Sequence, residues 1–380
     1  MCKLGFTRSV VDPNIYWLAH DSYVIRVGIY VDNLLVAFPK NNPAAKRRVD
    51  DFLSKFNERL PLELRGEPAI FMGVQIERDR KAKTIKLHQQ SYIKQMAARF
   101  LTGSTKSFST PVHSSKLDNF MKIDVAQTEE EQATMRTRPY LSLMGSLLWV
   151  TFTRPDVSYY VARLCCVMHK PSIAAYDAAL GVLSYLNETS SLGLTYDGNR
   201  PEFHVFSDSS YKQSPMPFAG YTVMCRNANV SNCARKLKIT PLSSAEAENA
   251  VFAMACKEWN YVRQLWGADG FQMKIKGGLP VNIYCDNSAA CTTVKTPGLT
   301  QRTKHYESWV HYARNQFENL VSPPVWIETT HQIADIFTKA LDKTTFLKFR
   351  AALMNIPSPL ITDKLAAILE RFKESAPVGS

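Results

Sequence analysis

The 380-residue sequence predicts an α/β (α+β) protein, and three observations lead there. From about residue 203 to 342 the β-rich runs "FHVF", "GYTVMC", "VNIYC" and "VWIE" are interleaved with helical stretches, chiefly "SSAEAENAVFAMACKEWNYVRQLW" and "QIADIFTKAL". Such alternation builds a mixed sheet flanked by helices. Before residue 95, two pairs of β-rich runs meet at short polar turns, as hairpins do. Between these regions, Tyr140 to about Leu186 has helical periodicity throughout. With 45% hydrophobic residues the chain can bury a sizeable core, and its length fits about two or three domains.

Taken in order, "YVIRVGIYV" and "LLVAFP" flank Asp32-Asn33. Asn and Asp tolerate the positive φ of tight turns, so the dipeptide reads as a hairpin tip. It also reads as a carboxylate pair that lacks one member. "NPAAKRRVDDFLSKF" starts a helix at Asn-Pro and carries Val49, Phe52, Leu53 and Phe56 on one face. "AIFMGVQIERDRKAKTIKLH" predicts two strands around a charged turn, and "QSYIKQMAARF" a helix. Residues 102–132 are polar and irregular, the pattern of a linker or exposed loop. In "TRPDVSYYVARLCCVMHKP", Thr153 is the expected N-cap and Lys-Pro the stop, and "AAYDAALGVLSYLNET" supplies a second packing helix.

An excess of 46 Lys+Arg over 34 Asp+Glu, formally +12, favours a polyanionic partner. Eight cysteines without a CxxC pair read as buried free thiols in a reducing compartment. The sequence has no run of about 18 apolar residues and no secretory leader pattern at its start. A soluble intracellular protein, away from membranes, cytoplasmic or nuclear, is the expectation.

Four acids of the last segment stand at informative places. Asp208 ends "FHVFSD" and Asp286 ends "VNIYCD", at strand termini, where α/β sheets hold ligands. Asp335 falls in the first turn of the final helix of this segment. The fourth is Glu246 or Glu248, and helix geometry separates them. With Ser243 as N-cap, Glu246 occupies N3 of an S-x-x-E capping box, returning its side chain to the cap's N–H. At about 100° per residue, Glu248 instead leads the apolar stripe Phe252, Ala255, Trp259, Val262 and Trp266. A carboxylate there needs a cation beside it or a metal shared with other acids. Mg²⁺ takes hard oxygen ligands, and two ions about 3.5–4 Å apart suit an in-line phosphoryl displacement. Chain order leaves open whether the four acids meet.

"IYVDNLLVA", "FMGVQIERD", "TRPDVSYYVARL", "VLSYLNETSSLGLTY", "AGYTV", "LSSAEAENA", "CDNSAA", "RTKHYESWVHYARNQ" and "QIADIFTKAL" resemble, in order and approximate spacing, the reverse transcriptase and RNase H portion of copia-type LTR retrotransposon polyproteins. The resemblance covers nearly all of residues 2–350. It implies a partial reverse transcriptase palm at 1–100, a helical thumb or connection region at 101–200, an RNase H-like five-stranded mixed sheet with flanking helices at 201–345, and a helical tail at 346–380. It also implies a metal-dependent nuclease site at Asp208, Glu248, Asp286 and Asp335, with Glu246 as the fallback. Two Mg²⁺ ions, or Mn²⁺, would be the cofactors and an RNA–DNA hybrid the substrate, recognised by its 2′-OH groups and shape.

The same resemblance marks departures. The family's hairpin tip carries Tyr-Val-Asp-Asp, whereas Asn33 follows Asp32 here. The family's first metal-binding Asp lies on an upstream strand, and the chain is expected to begin too late to hold it. Polymerase activity is therefore not expected of this chain alone. Asp12 matches a non-catalytic family position. Arg235, Lys236 and Lys238 read either as phosphate contacts or as a solvated strand. Arg302, Lys304 and Arg314 are candidate backbone contacts, and the spacing of His305 and His311 is not that of an i, i+4 zinc pair. His331, four residues before Asp335, is a candidate for assisting product release. In the tail, Leu365, Ile368, Leu369 and Phe372 form an apolar face that docks on its own domain or pairs chains, and a partner chain supplying the missing palm is the other form of association considered. The second function class is a non-catalytic nucleic-acid-binding remnant or domesticated interaction protein.

Overall fold

In the computed structural model, the described residues are 1–101, 109–123, 128–198, 202–211, 217–267, 270–273, 281–296, 298, 306–317 and 320–370. They fall into two compact units, residues 1–72 with 257–276, and residues 73–256 with 277–380.

The first unit contains an antiparallel sheet of β1 (Thr7–Arg8), β2 (Ile15–His20), β3 (Tyr23–Tyr30) and β4 (Asn33–Ala37) in that order. Helix α1 (Pro43–Asn57) covers it, and Phe6, Ile25, Val27, Val49 and Phe52 form their shared core. The Asn-Pro signal acts as predicted. Asn42 Oδ1 accepts the N–H groups of Ala44 and Ala45 at 3.0 and 3.1 Å, and Pro43 takes the first helical position, where no N–H is needed. The hairpin tip differs from expectation by one residue. Tyr30 pairs with Asn33, so the loop is Val31-Asp32 and Asn33 opens the strand. Val31, at φ +50°, takes the left-handed conformation expected of an Asn or Asp. A short strand, β5 (Ile70–Phe71), follows.

In the second unit, β6 (Val74–Asp79), β7 (Thr84–His88) and β8 (Leu194–Asp197) pair antiparallel. Helices α2 (Gln90–Phe100), α3 (Leu117–Met121), α4 (Glu129–Arg136), α5 (Tyr140–Val150), α6 (Ser158–Cys165) and α7 (Ile173–Glu188) lie between β7 and β8 in sequence. The stretch expected to be a loop is partly helical: Thr128 and Glu131 close a capping box on α4, and Phe120 and Ile123 are buried in the main core. These two buried apolar residues anchor an otherwise polar stretch.

Thr153 is not an N-cap. Its hydroxyl donates to Gln89 Oε1 at 2.8 Å, and a 3₁₀ turn (Pro155–Val157) precedes α6. Arg154 instead organises the motif, donating to Asp156 at 3.0 and 2.8 Å and to Thr189 O, with both side chains wholly buried. Tyr185 donates its hydroxyl to Asp156 at 2.6 Å and accepts from Arg350 at 3.0 Å. Burial opposes the charge on Asp156, but the Arg154 guanidinium outweighs it and holds the carboxyl below its ordinary range.

A five-stranded mixed sheet follows: β9 (Phe203–Ser209), β10 (Phe218–Cys225), β11 (Ala228–Lys236), β12 (Ile283–Cys285) and β13 (Val325–Trp326), in spatial order β11-β10-β9-β12-β13. The first three are antiparallel, and β12 and β13 join parallel. Strand alternation splits its side chains between two layers. Phe206, Phe218 and Tyr284 enter the large helical core, whereas Ala219 packs with Ala247 and Val251 of α8 (Ser244–Trp266). Helices α9 (Ser288–Lys295), α10 (Glu307–Arg314), α11 (Lys343–Met354) and α12 (Asp363–Glu370) complete the unit.

Leu365, Ile368 and Leu369 of α12 are buried in the same core, so this face docks on its own chain and is not left for pairing. Phe372 lies outside the described residues. All eight cysteines are free thiols. No helix among the described residues is long and apolar enough to cross a membrane.

Candidate active site

Strand register builds the site. Tyr284 of β12 lies beside Phe206 of β9, and continuing that parallel pairing by two residues sets Asp286 beside Asp208. On the other side of β9, Gly220 of β10 lies opposite Asp208. A Cβ at Gly220 would stand 2.5 Å from Thr338 Cγ2, 2.8 Å from Phe337 Cβ and 3.0 Å from Ala334 O. The absent side chain lets a 3₁₀ turn (Ile333–Phe337) lie directly on the strand. Gln332 fastens this turn, donating to Ser207 O at 2.9 Å and accepting from Ala334 N. Asp335 is thereby delivered to the other two carboxylates by a 3₁₀ turn and not by the predicted α-helix.

Asp208, Asp286 and Asp335 each present an oxygen within 4.8 Å of the others. Asp208 and Asp335 are buried and Asp286 half-buried. Glu248 reaches the end of β9 from α8, accepting Ser209 N–H at 3.2 Å, with the Cys285 thiol donating at 3.8 Å. Glu246 accepts Leu242 N–H at 2.7 Å while its own N–H goes to Ser243 Oγ at 3.1 Å. It closes the start of α8 as predicted, but its carboxylate takes the N–H one residue before the cap.

Hydroxyls and one ammonium surround the acids. Thr338 donates to Asp208 Oδ2, and Thr329 donates to Asp286 Oδ2 at 2.6 Å. Lys339 Nζ stands 2.9 Å from Asp335 Oδ1 and 3.9 Å from Asp208 Oδ2. Burial, followed by the charges of Asp208 and Asp286, holds the Glu248 carboxyl well above its ordinary range. Burial and Asp208 push Asp335 up to about 9, against the pull of Lys339. Asp286 is raised for the same two reasons, burial and Asp208. Burial opposes the charge on Lys339, but the acids outweigh it and hold the ammonium protonated.

The donor set fits a hard divalent cation: carboxylate oxygens crowded until they favour protons, on rigid elements and oriented by hydroxyls. Sequence reasoning missed Thr329, Gln332, Thr338 and Lys339, although Thr338 and Lys339 stand within one turn of Asp335 in "QIADIFTKAL". It also passed over Gly220, whose place inside a strand is itself a sign of close approach.

Asp32 and Asn33 are both exposed at their hairpin. Arg235, Lys236 and Lys238 are exposed at and just beyond the end of edge strand β11. Arg314 caps α9, donating to the carbonyls of Thr293, Val294 and Gly298 at 2.8, 3.0 and 3.1 Å. Arg302 and Lys304 lie outside the described residues. His331 is buried, 3.7 Å from Glu328 and 3.1 Å from the Thr330 hydroxyl.

Strands that end in clustered carboxylates define an α/β protein with an acid set able to hold a metal ion. Comparison with known proteins makes this specific. The chain is 30% identical over 354 residues to a retrovirus-related Pol polyprotein from transposon RE1 of Arabidopsis thaliana, covering 92% of this chain and 23% of that one. It is 31% identical over 252 residues to a putative transposon Ty5-1 protein of Saccharomyces cerevisiae, covering 65% of this chain and 77% of that one. The chain belongs to the copia-type retrovirus-related Pol polyproteins of retrotransposons. It spans about a quarter of the length of its long plant relatives. No family model matches. Among solved structures, an RNase H1 from compost, LC11, is similar at 14% identity and a TM-score of 0.28, covering 36% of this chain and 93% of that one.

Proposed function

We propose that residues 201–345, with the five-stranded mixed sheet, are an RNase H that hydrolyses the RNA strand of RNA–DNA hybrids with the help of divalent metal, Mg²⁺ or Mn²⁺. The observation that carries this reading is the meeting of Asp208, Asp286 and Asp335 oxygens within 4.8 Å at neighbouring strand ends, with Glu248 buried against them. Membership of the copia-type Pol polyproteins and the strand order β11-β10-β9-β12-β13 support it.

These four acids would hold two ions, which when bound supply charge stabilisation to an in-line phosphoryl displacement. The chain's own part is to place oxygens. Thr338 and Thr329 fix one oxygen each of Asp208 and Asp286, leaving the other free to ligate. Glu248, held by Ser209 N–H, closes the cluster on the α8 side. Exposed Arg235, Lys236 and Lys238, with Arg302 and Lys304, offer sequence-independent phosphate contacts to the hybrid. Asn33 leaves the Asp32 hairpin with one carboxylate, too few to share a metal pair, so we assign no polymerase activity to this tip.

The test is cleavage of a labelled RNA–DNA hybrid by the purified chain in Mg²⁺ or Mn²⁺. Metal-dependent cutting of the RNA strand is expected. Binding of the hybrid with no cleavage in either metal would favour a non-catalytic nucleic-acid-binding protein.

A further inference from the structure

We infer that Lys339 is a built-in counter-ion that occupies the acid cluster when metal is absent and competes with the divalent cation for Asp208 and Asp335. The inference rests on reading this cluster as a metal site. Three carboxylates within 4.8 Å cannot all stay ionised without a cation or protons between them. Lys339 Nζ is the ammonium at hand, 2.9 Å from Asp335 and 3.9 Å from Asp208.

Its position follows from the chain. Past the end of the 3₁₀ turn the chain makes one α-type bond, Lys339 N–H to Asp335 O at 3.2 Å, which sets the side chain four residues on over the carboxylate. The side chain keeps 21% exposure. It therefore has a way out to water when a cation of higher charge arrives. A flexible point charge on four methylenes suits this role better than a planar guanidinium would.

Two consequences separate this role from ordinary packing. Without metal, the ammonium holds the 3₁₀ turn against β9 through charge, so the fold of the site precedes metal binding. With metal, the same ammonium must leave two of the ligands, which weakens apparent affinity through a competition that mutation can remove.

The experiment measures metal binding and stability, not turnover. Titration calorimetry with Mg²⁺ and Mn²⁺, and thermal midpoints in chelator and in metal, are compared for the wild type, Lys339→Met and Lys339→Arg. Expected for Lys339→Met is a lower midpoint in chelator and metal affinity tightened about tenfold, as removal of a competing charge at 3–4 Å allows. Lys339→Arg should restore the chelator midpoint, because it returns the positive charge.

Metal binding by the wild type with unchanged affinity in Lys339→Met would overturn the inference. So would a drop in hybrid affinity with metal affinity untouched, which would make Lys339 a phosphate contact. Absence of metal binding in the wild type would instead overturn the reading of the site itself. Should Lys339→Met fail to fold, Lys339→Gln and the wild type titrated with Mn²⁺ at several pH values keep the question open to refutation: competition predicts that midpoint gain on metal addition is larger for the glutamine variant.

Discussion

Asp32 stands exposed at the tip of a two-strand turn, beside an Asn33 that is already paired into β4. Asp208 stands buried near the end of a central strand, with β10 on one side, β12 on the other and a 3₁₀ turn laid across it. Both are aspartates at strand ends preceded by apolar runs. The difference lies in what each scaffold adds. A hairpin supplies two neighbours and open water, and its single charge is screened there. The mixed sheet draws Asp208, Asp286 and Asp335 oxygens to within 4.8 Å and backs them with Glu248, so Glu248, Asp286 and Asp335 are raised and take protons or a cation. The proposed metal site is thus a property of parallel strand register and close approach of the 3₁₀ turn, more than of any one acid.

The strongest test of that contrast is activity. Asp208→Asn or Glu248→Gln should lower hybrid cleavage by about three orders of magnitude, about 4 kcal/mol of transition-state stabilisation, at unchanged fold. Asp32→Asn should leave cleavage at the wild-type level. Steady-state rates and circular dichroism on the three variants check both halves. Loss of cleavage in Asp32→Asn would break the comparison.

Next in size is the scaffold. Gly220→Ala would drive a methyl against Thr338, Phe337 and the Ala334 carbonyl, lifting the 3₁₀ turn from β10. A cost of about 1–3 kcal/mol in stability is expected from overpacking, with loss of cleavage although no acid has changed. Denaturant unfolding measures the first and the hybrid assay the second. Normal activity in this variant would mean that the approach of turn to strand does not set the site.

Much of this was legible in sequence, for reasons that are local. Helix phase separated Glu248, buried with Phe252 and Ala255, from Glu246 at the cap. The β-rich runs marked Asp208 and Asp286 as strand-end acids, and the structure sets Asp208 one residue before the end of β9 and Asp286 one residue past β12. What escaped depends on distant partners. Thr153 looks like a cap until Gln89, 64 residues away, takes its hydroxyl. Residues 102–132 look like linker because their buried apolar residues, Phe120 and Ile123, are sparse. Lys339 has no meaning until the sheet brings Asp208 beneath it. Val31 takes the positive φ because strand pairing starts at Asn33, a register that composition does not show.

Acidity of the cluster sharpens the contrast through pH. Asp335 is raised to about 9 and Glu248 is raised as well, whereas in the unfolded chain such groups titrate near 4. Between those values the folded state binds more protons than the unfolded one. Metal-free stability therefore falls as pH rises from about 4 to 9 through Asp335, by at most about 1.4 kcal/mol per pH unit, and the raised Glu248 acts in the same direction. Metal ligation removes the protons, so Mg²⁺ should flatten the slope. Thermal midpoints against pH in chelator and in Mg²⁺ decide this, and a parallel pair of curves would argue against metal binding by these acids.

At the start of α8 a smaller and purely structural effect is expected. Ser243→Ala removes the acceptor for Glu246 N–H and should cost about 0.5–2 kcal/mol. Glu246→Gln should be nearly silent in both stability and cleavage, since an amide oxygen accepts the Leu242 N–H equally well. If Glu246→Gln lost cleavage while Glu248→Gln kept it, the catalytic face of the helix would have been assigned to the wrong acid.

The smallest effect is expected at the hairpin, where Asn33→Asp restores the second carboxylate of the tip. Position 33 is exposed and opens β4 opposite Tyr30, so the added charge is solvated, and the change in stability should stay within about 0.5 kcal/mol. Hybrid cleavage should not change, because this charge adds nothing to the Asp208 cluster. Primer extension with deoxynucleotides and Mg²⁺ is the discriminating measurement. Two adjacent carboxylates on an open turn lack the third element that crowds Asp335 onto Asp208, and template-directed extension is expected from neither the wild type nor the variant. Extension by Asn33→Asp would show that a single substitution had disabled a complete site, and that the hairpin differs from the sheet cluster by one residue and not by its scaffold.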